Sequence, residues 1–270
     1  MELDISELIS EDLKPPKWVV EGIIPTGTIV LIAGDAGVGK SVMNLAEGLH
    51  VALGRPFLGH KTVQSRVLYF DEENSRPDLS AYVTKLWLGM GKPDRAELAK
   101  WFRVEHFSLG HRDWPKSAEP VVRVWQPGII YVDTATSALG VQDENDNAEA
   151  QLAVQNLRRL MNVCQEAPAI KILKHAKFQS GGDKKGGTRR TIRGAKAWLG
   201  AADQTMYHIS ERGRPKKDGL RPTILVPDKI RAYGLARNIR ILPSYTDPER
   251  KCLVLNGESF ESPTDLMEQD

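Results

Sequence analysis

The segment Gly-Asp-Ala-Gly-Val-Gly-Lys-Ser at residues 34–41 combines residue types and a spacing that can bind phosphate groups. It fits the phosphate-loop (P-loop) pattern G-x-x-x-x-G-K-[ST] at every fixed position. Its glycines let backbone N–H groups turn toward an anion, Lys40 can reach the β- and γ-phosphates, and the Ser41 hydroxyl can bind Mg²⁺. The sequence therefore predicts ATP and Mg²⁺ as ligands. The predicted nucleotide contacts are Gly34, Ala36, Gly37, Val38, Gly39, Lys40, Ser41 and Val42.

Carboxylates at the ends of two other apolar segments could complete the chemistry of phosphate transfer. Hydrolysis of ATP needs a second anchor for the metal, and Asp133 directly follows an apolar run at 129–132. Hydrolysis also needs a group that orients or deprotonates the attacking water. Three consecutive acids at 71–73 end another apolar run and are candidates for that role. We therefore expect Asp133 and Ser41 at the metal, and one of the three acids at the water.

A parallel sheet would bring these residues together. An apolar run at 28–33 precedes the P-loop and residues at helical spacing follow it at 42–52, which predicts a strand, a loop and a helix. Further strands are predicted at 66–70, 101–107, 128–132, 169–173, 204–209, 222–227, 237–242 and 251–255, with helices at 76–100 and 147–166. Alternating strands and helices indicate an α/β fold: a mostly parallel central sheet, helices on both faces, and antiparallel edge strands toward the C-terminus.

The composition argues against several other classes of protein. No apolar run approaches the roughly 20 residues that cross a bilayer, so we expect no membrane partner. Residues 1–12 lack the basic and apolar regions of a secretion signal. The two cysteines, Cys164 and Cys252, do not have the spacing of a metal or redox site. We therefore expect a cytoplasmic globular protein with two free thiols.

Positive charge is concentrated in one part of the chain. Residues 171–240 contain 18 Lys and Arg but only five Asp and Glu, whereas the whole chain has a net charge of +2. Such a basic segment can bind a polyanion, although a cluster of charged residues is more often an ordinary solvent-exposed surface. Within it, the glycine-rich and basic segment 178–191 is predicted to be a mobile loop.

Four segments together resemble the RecA-like ATPase core. They are Trp-Val-Val-Glu-Gly-Ile-Ile-Pro-Thr-Gly at 18–27, the P-loop, Val-Leu-Tyr-Phe-Asp-Glu-Glu at 67–73, and the strand that ends at Asp133. Within that family they look like the plasmid RepA-type and DnaB-type hexameric helicases. The resemblance implies a RecA-like P-loop NTPase domain at 18–245, preceded by an extension at 1–17 and followed by a C-terminal strand and acidic tail at 246–270.

The resemblance also implies roles for residues around the nucleotide. In the family the catalytic glutamate closes the second core strand, which corresponds to Glu73 here and leaves Glu72 as an alternative. The segment Leu-Lys-His-Ala-Lys at 173–177 is similar to a family segment with a polar sensor near the γ-phosphate, which corresponds to His175. This chain has Lys174 where the family commonly has its first histidine, and one residue fewer before the final lysine.

A second set of implied residues lies near the C-terminus. Asp-Lys-Ile-Arg at 228–231 resembles a Lys-x-Arg element that reaches into the ATP site of the neighbouring subunit in hexameric members. A guanidinium at the γ-phosphate stabilises the charge that develops during transfer. The resemblance therefore implies a homo-oligomer, with a hexamer as the expected state, in which Lys229 and Arg231 act in trans.

Two loops face the central channel in RecA-like rings, and here they correspond to residues around 140–147 and 177–193. The first is acidic, whereas the second is basic and rich in glycine, which suits a sequence-independent contact with the backbone of single-stranded DNA. No aromatic residue lies between 179 and 197, so base stacking is not expected there. The candidate DNA-binding residues are Lys177, Lys184, Lys185, Arg189, Arg190 and Arg193.

The combined prediction is a ring-forming ATPase that acts as a DNA helicase in the replication of a plasmid or mobile element. Two alternatives stay open. One is a RecA-like regulator or recombination mediator that does not translocate. The other is a P-loop kinase for a small molecule, with the 184–193 segment as its lid. The candidate catalytic residues are Lys40, Glu73, Asp133, His175, Lys229 and Arg231.

Overall fold

The computed structural model describes most of the chain. The described residues are 15–106, 114–139, 141, 146–179, 189–192, 196–211, 219–231, 233–247, 249 and 251–260, without the side chains at 136–137, 177–179, 189–192 and 196–197. The strands are β1 (Trp18–Val20), β2 (Ile24–Pro25), β3 (Ile29–Gly34), β4 (Val67–Asp71), β5 (Phe102–Glu105), β6 (Ile129–Asp133), β7 (Ala169–Gln179), β8 (Arg189–Ile192), β9 (Gln204–Ser210), β10 (Thr223–Ile230), β11 (Asn238–Tyr245) and β12 (Leu253–Phe260). The helices are α1 (Lys40–Leu53), α2 (Arg76–Gly89), α3 (Arg95–Trp101), α4 (Trp114–Trp125), α5 (Ala135–Ala138), α6 (Asn147–Met161) and α7 (Lys196–Ala201).

One large sheet organises the molecule, in the order β12-β11-β10-β9-β3-β7-β6-β4-β5. The strands from β9 to β5 are parallel to their neighbours, whereas β10, β11 and β12 are added antiparallel at one edge. β8 pairs with β7, and β1 and β2 form a separate small sheet. The predicted fold class is therefore confirmed. Because the strand that precedes the P-loop lies in the interior of this sheet, the loop has neighbours on both sides.

Helices cover both faces of the sheet, and each face has its own apolar core. Buried residues of α4, α6 and α7 pack on one face, against Ile29 and Leu31 of β3. Buried residues of α1 and α2 pack on the other face, against Val30 and Ile32. This alternation is the period of two that a strand imposes on its side chains. The central strands are apolar on both sides because both sides are covered.

Some predicted elements have different bounds. The helix predicted at 76–100 is two helices, because the chain turns at Gly91-Lys92-Pro93 and Asp94 then caps α3 by accepting the Glu97 N–H at 2.7 Å. The helix predicted at 147–166 ends at Met161. Helix α4 was not predicted, since its sequence, which includes Pro120, lacks a clear start signal.

The segment predicted as a mobile loop at 178–191 is in part a hairpin. β7 continues to Gln179, and β8 returns antiparallel to it, with Ala176 opposite Ile192 and Gln179 opposite Arg189. The prediction was wrong for these strand residues, because backbone pairing across the hairpin overrides the glycine-rich and basic composition. Residues 180–188 lie outside the described part of the chain.

Cys164 and Cys252 are both free, as expected. None of the described helices is long and apolar enough to cross a membrane.

Candidate active site at the carboxyl edge of the parallel strands

The P-loop has the backbone of an anion-binding loop. Gly37 and Gly39 have φ values of 74° and 95°, a left-handed conformation that strains other residues. α1 begins at Lys40 directly after Gly39, which has no side chain to cap it. The N–H groups of its first turn are thus available for an anion, and the helix dipole favours negative charge there. A Cβ at Gly34 would collide with the carbonyl oxygen of His208, so the approach of β9 requires a glycine at this position.

Lys40 closes back over the loop that precedes it. Its Nζ donates to the carbonyl oxygens of Gly34 at 3.0 Å and Asp35 at 2.8 Å, and only 6% of the residue is exposed. Burial lowers the pKa of Lys40, whereas the nearby carboxylates of Glu73 and Asp133 raise it. The ammonium group therefore faces the acids of the site while it is held by neutral carbonyls, and it can be redirected to a phosphate.

Asp133 ends β6 and is fully buried. The hydroxyl of Tyr69 donates to its Oδ2 at 2.7 Å, but Oδ1 has no hydrogen-bond partner among the described residues. Burial raises the pKa of Asp133 to about 6, although the hydroxyls of Ser41 and Tyr69 act to lower it. A buried carboxylate oxygen without a partner costs free energy unless a cation or a donor compensates it.

The residues present fit Mg²⁺. The unused Oδ1 of Asp133 and the hydroxyl of Ser41 are both oxygen ligands, which a hard cation prefers. Mg²⁺ sites of nucleotide-binding proteins use one or two protein oxygens and take the remaining ligands from phosphate and water. Ser41 and Asp133 are therefore the residues that would hold the metal.

The three acids at 71–73 have different environments. Asp71 is buried, and its Oδ1 accepts the N–H groups of Glu73 at 3.1 Å and Asn74 at 2.9 Å, so it shapes the turn that follows β4. The backbone N–H of Glu72 donates to the Asp133 carbonyl at 2.9 Å, which ties this turn to β6. The Glu73 carboxylate is partly exposed, and its Oε1 lies 3.7 Å from His175 Nε2.

His175 reaches the site from the strand next to the P-loop. Its position on β7 is opposite Gly34 of β3, and its side chain is partly exposed. The structure thus brings together Glu73, His175 and the start of the P-loop, which lie on three neighbouring parts of the sheet edge. The sequence analysis had predicted the P-loop and the acids at 71–73 from their own patterns, whereas the choice of Glu73 and the role of His175 came from the resemblance.

Lys229 and Arg231 are not part of this cluster. Lys229 Nζ donates to the carbonyl oxygens of Leu199 at 2.6 Å and Ala202 at 2.8 Å, at the C-terminal end of α7. Arg231 donates to the carbonyl of Gly200. Lys229 pairs with Thr205 at the start of β9, whereas the P-loop adjoins the end of that strand. In this chain the Lys-x-Arg element therefore lies toward the amino ends of the parallel strands, whereas the P-loop lies at their carboxyl ends.

The candidate DNA-binding residues are only partly within the described structure. Lys177, Arg189 and Arg190 lie on the β7–β8 hairpin, with Lys177 opposite Thr191. Lys184, Lys185 and Arg193 lie outside the described residues.

Tyr69 was missed by the sequence analysis, although it contacts Asp133 directly. It sits on β4 opposite Tyr131 of β6, and Asp71 is opposite Asp133. The period of two along both strands puts Tyr69 and Asp133 on the same face of the sheet. A pairing of these two strands, had it been assumed, would have predicted the contact.

Comparisons with known proteins agree with this arrangement. Residues 1–175 match the AAA_25 family, described as an AAA domain. The fold is similar to that of the KaiC-like protein PH0186 from the hyperthermophilic archaeon Pyrococcus horikoshii OT3, with a TM-score of 0.54 and 14% identity over 88% of this chain and 93% of that chain. No curated protein sequence matches the chain. Since the family match covers more than half of the 270 residues, the chain belongs to the AAA_25 family and has the fold of a RecA-like P-loop ATPase.

Proposed function

We propose that this protein is a Mg²⁺-dependent ATPase that assembles into a ring, with six subunits as the expected number. We propose further that the ring is a DNA helicase that acts on single-stranded DNA in the replication of a plasmid or mobile element. One observation carries the proposal. Lys40, Asp133 and Glu73 meet at the carboxyl ends of the parallel strands, whereas Lys229 and Arg231 lie toward their amino ends. This separation suits a site that two subunits share.

The residues of one subunit would divide the chemistry among them. Lys40 and the N–H groups at the start of α1 bind the β- and γ-phosphates. Mg²⁺, bound by Ser41 and Asp133, would neutralise phosphate charge. Glu73 orients the attacking water and accepts its proton as the water oxygen bonds to the γ-phosphorus and the bond to the bridging oxygen breaks.

His175 would act on this step through Glu73. Its Nε2 lies 3.7 Å from Glu73 Oε1, so the two side chains can restrain each other beside the phosphates. This contact also favours Glu73 over Glu72 as the catalytic carboxylate, because it places the Glu73 carboxylate beside the predicted sensor. The Glu73 carboxylate is also exposed enough to meet a water molecule, whereas Asp71 is fully buried.

The neighbouring subunit would supply Arg231. A guanidinium placed at the γ-phosphate contributes about 10³ to 10⁵ in rate in other nucleotide hydrolases. In a single subunit Arg231 contacts the Gly200 carbonyl and lies 3.6 Å from Asp203. Engagement with a neighbour would therefore exchange these contacts for a phosphate, which makes hydrolysis sensitive to assembly.

The substitution Arg231→Ala tests the shared site. We expect the variant to bind ATP with unchanged affinity and to lose turnover by about 10³-fold or more. Arg123→Ala is the control, because Arg123 is an exposed arginine of α4 that pairs with Glu119. When inactive Lys40→Ala subunits are mixed with wild type, the ATPase activity of the mixture should fall by more than the fraction of variant subunits. Normal hydrolysis by Arg231→Ala would rule out the shared site.

A second set of measurements tests the nucleic-acid part of the proposal. Mass from light scattering with ATP and Mg²⁺ gives the number of subunits, and a forked duplex reports strand separation. Replacement of Lys184, Lys185, Arg189 and Arg190 together by alanine should weaken binding to single-stranded DNA and reduce its salt dependence. Unchanged binding at low salt would contradict the assignment of this segment.

The same measurements separate the alternatives. ATPase activity that single-stranded DNA stimulates without strand separation would favour a regulator or recombination mediator. Phosphate transfer to a small acceptor by a monomer would favour a kinase. Neither result would alter the assignment of the P-loop, which depends on the local geometry of residues 34–41.

A further inference from the structure

A buried asparagine on α1 has no part in the chemistry described so far. Asn44 lies one helical turn after Lys40, and its side chain is fully buried. Neither its amide nitrogen nor its amide oxygen has a hydrogen-bond partner among the described residues. An amide can donate two hydrogen bonds and accept others, and burying it without partners costs free energy. The side chain therefore marks a place for a polar molecule that is not part of the chain.

The packing of α1 shows which part of the sheet Asn44 faces. Ser41 lies three residues before it and Gly48 four residues after it, so the three share one face of the helix. The Ser41 hydroxyl hydrogen-bonds to Asp133, and a Cβ at Gly48 would lie 3.3 Å from the Tyr131 ring. Asn44 therefore faces β6 at a level between Tyr131 and Asp133.

The carboxylate at this level is held on one oxygen only. The Tyr69 hydroxyl donates to Asp133 Oδ2 at 2.7 Å, whereas Asp133 Oδ1 has no hydrogen-bond partner among the described residues. The Asn44 amide can donate and the carboxylate oxygen can accept, so their unused capacities are complementary. Since the two groups do not bond directly, a water molecule between them is the simplest link. Buried waters typically make about three hydrogen bonds to otherwise unsatisfied polar groups.

The next polar residue of α1 shows that the packing of this helix can satisfy a buried group completely. Glu47 accepts hydrogen bonds from Lys171 and from the Tyr131 hydroxyl, each at 2.8 Å. The unused capacity on α1 is therefore local to Asn44, next to the residues that would hold the metal. A group that orients a metal ligand from behind typically contributes about 10- to 100-fold to metal affinity.

We propose that Asn44 binds a buried water molecule that donates a hydrogen bond to Asp133 Oδ1, and that Asn44 is thereby a positioning residue of the metal site. A carboxylate oxygen has about two lone-pair sites, so Oδ1 can accept this hydrogen bond from the core and still face a cation at the edge of the sheet. With Tyr69 on Oδ2, both oxygens of Asp133 are then held before the metal binds. This role rests on the proposed Mg²⁺-dependent ATPase function.

The test measures how much Mg²⁺ strengthens nucleotide binding, without any turnover. ADP is titrated calorimetrically into the full chain, once with Mg²⁺ and once with EDTA. Asn44→Leu removes both polar atoms of the amide at similar size, and Leu45→Met is the matched control because Leu45 is the next residue of α1 and is also buried. We expect Asn44→Leu to weaken ADP at least about tenfold with Mg²⁺ and not with EDTA, and Leu45→Met to change neither.

A conservative variant separates positioning from packing. Asn44→Ser has a hydroxyl that can hold the water, so it should recover most of the Mg²⁺-dependent affinity that Asn44→Leu loses. Unchanged ADP binding in Asn44→Leu with Mg²⁺, or an equal loss with Mg²⁺ and with EDTA, would overturn the positioning role. A crystal structure of the wild type without nucleotide, with no water between Asn44 and Asp133, would overturn it whether or not the variants fold. If Mg²⁺ did not strengthen ADP binding to the wild type, the proposed Mg²⁺-dependent function would itself be wrong.

Discussion

Two groups of buried charges lie on the α1 side of the sheet, and they differ in how completely they are paired. The first is in the core. Lys171 Nζ donates to both carboxylate oxygens of Glu47 at 2.8 Å, and the Tyr131 hydroxyl donates to Glu47 Oε1 at 2.8 Å. Lys171 and Glu47 are fully buried. These contacts join α1 to β7 and β6, under the helix that begins at the P-loop.

The second group is the active site, and its pairing is incomplete. Asp133 has one oxygen without a partner among the described residues, and Lys40 donates to loop carbonyls rather than to the acids it faces. A buried charge whose hydrogen bonds are all made fixes how elements pack, whereas a buried charge with unused bonding capacity is a place for a ligand. The comparison predicts that substitutions in the site remove activity and spare stability, and that substitutions in the core do the reverse.

The largest expected effect is the loss of hydrolysis in Lys40→Ala. The variant lacks the ammonium that would bind the β- and γ-phosphates, so we expect turnover to fall about 10³-fold or more. The free energy of unfolding without nucleotide should change by less than about 1 kcal/mol, because Lys40 bonds only to two loop carbonyls. Phosphate release and urea unfolding measure the two quantities.

Lys61→Ala is the control for this comparison, since Lys61 is exposed and remote from the P-loop. It should leave both quantities unchanged. Full ATPase activity in Lys40→Ala would contradict the assignment of the site. A large loss of stability would instead break the distinction between the two groups, because Lys40 would then be a structural residue as well.

The second largest expected effect is a loss in the free energy of unfolding in Lys171→Met. This substitution leaves the buried Glu47 carboxylate without its cation, which in other proteins costs about 3–5 kcal/mol. We expect a loss of that size in the free energy of unfolding, measured with urea. The double variant Lys171→Met/Glu47→Gln should recover much of it, because the glutamine is neutral and still accepts from the Tyr131 hydroxyl.

Unchanged stability of Lys171→Met would show that Glu47 does not need Lys171. Equal instability of the single and double variants would mean that packing, rather than charge, is what the lysine provides. Either result would remove the contrast between the core group and the active site.

The sequence predicted the part of the site that local pattern determines. The P-loop is a contiguous motif between a buried strand and a helix, so residues 34–41 identify it without knowledge of the fold. Asp133 was predicted as the metal anchor because it follows an apolar run that reads as a strand. The carboxyl ends of parallel strands lie at one edge of the sheet, which is where the P-loop also lies. Glu73 and His175 required the resemblance to a family, since nothing in the local sequence separates Glu73 from Asp71 and Glu72.

The remainder depends on contacts between distant parts of the chain. The place of Asn44 over β6 is one example, because it depends on how α1 packs on the sheet and no motif marks it. The hairpin of β7 and β8 is a local pairing, with Gln179 opposite Arg189, and it was missed because the composition of 178–191 is typical of a mobile loop. Lys171 did carry a signal: a lysine within the apolar run Ala-Ile-Lys-Ile-Leu at 169–173 must be buried, and a buried lysine needs an acid. The identity of that acid, Glu47, could not be predicted.

The smallest expected effect is a pH-dependent gain of stability in Asp133→Asn without metal or nucleotide. The pKa of Asp133 in the folded protein is about 6, above its usual value of 3.8, because burial penalises the charged form. The folded protein therefore holds this proton more tightly than the unfolded chain does. The wild type loses stability as pH rises from about 4 to above about 6, by about 3 kcal/mol at most. Asparagine does not titrate, so the variant should match the wild type near pH 4 and exceed it above pH 6.

Tyr69→Phe sharpens this test, because it moves the transition in a known direction. The Tyr69 hydroxyl donates to Asp133 Oδ2 and lowers the pKa of that carboxyl, so its removal should shift the loss of stability to higher pH. Urea unfolding across this pH range with EDTA present measures both variants. A difference between Asp133→Asn and wild type that does not vary with pH would mean that the carboxylate is already compensated within the protein. Asp133 would then belong with the fully paired core group, and the unused oxygen could not be counted as a place for the metal.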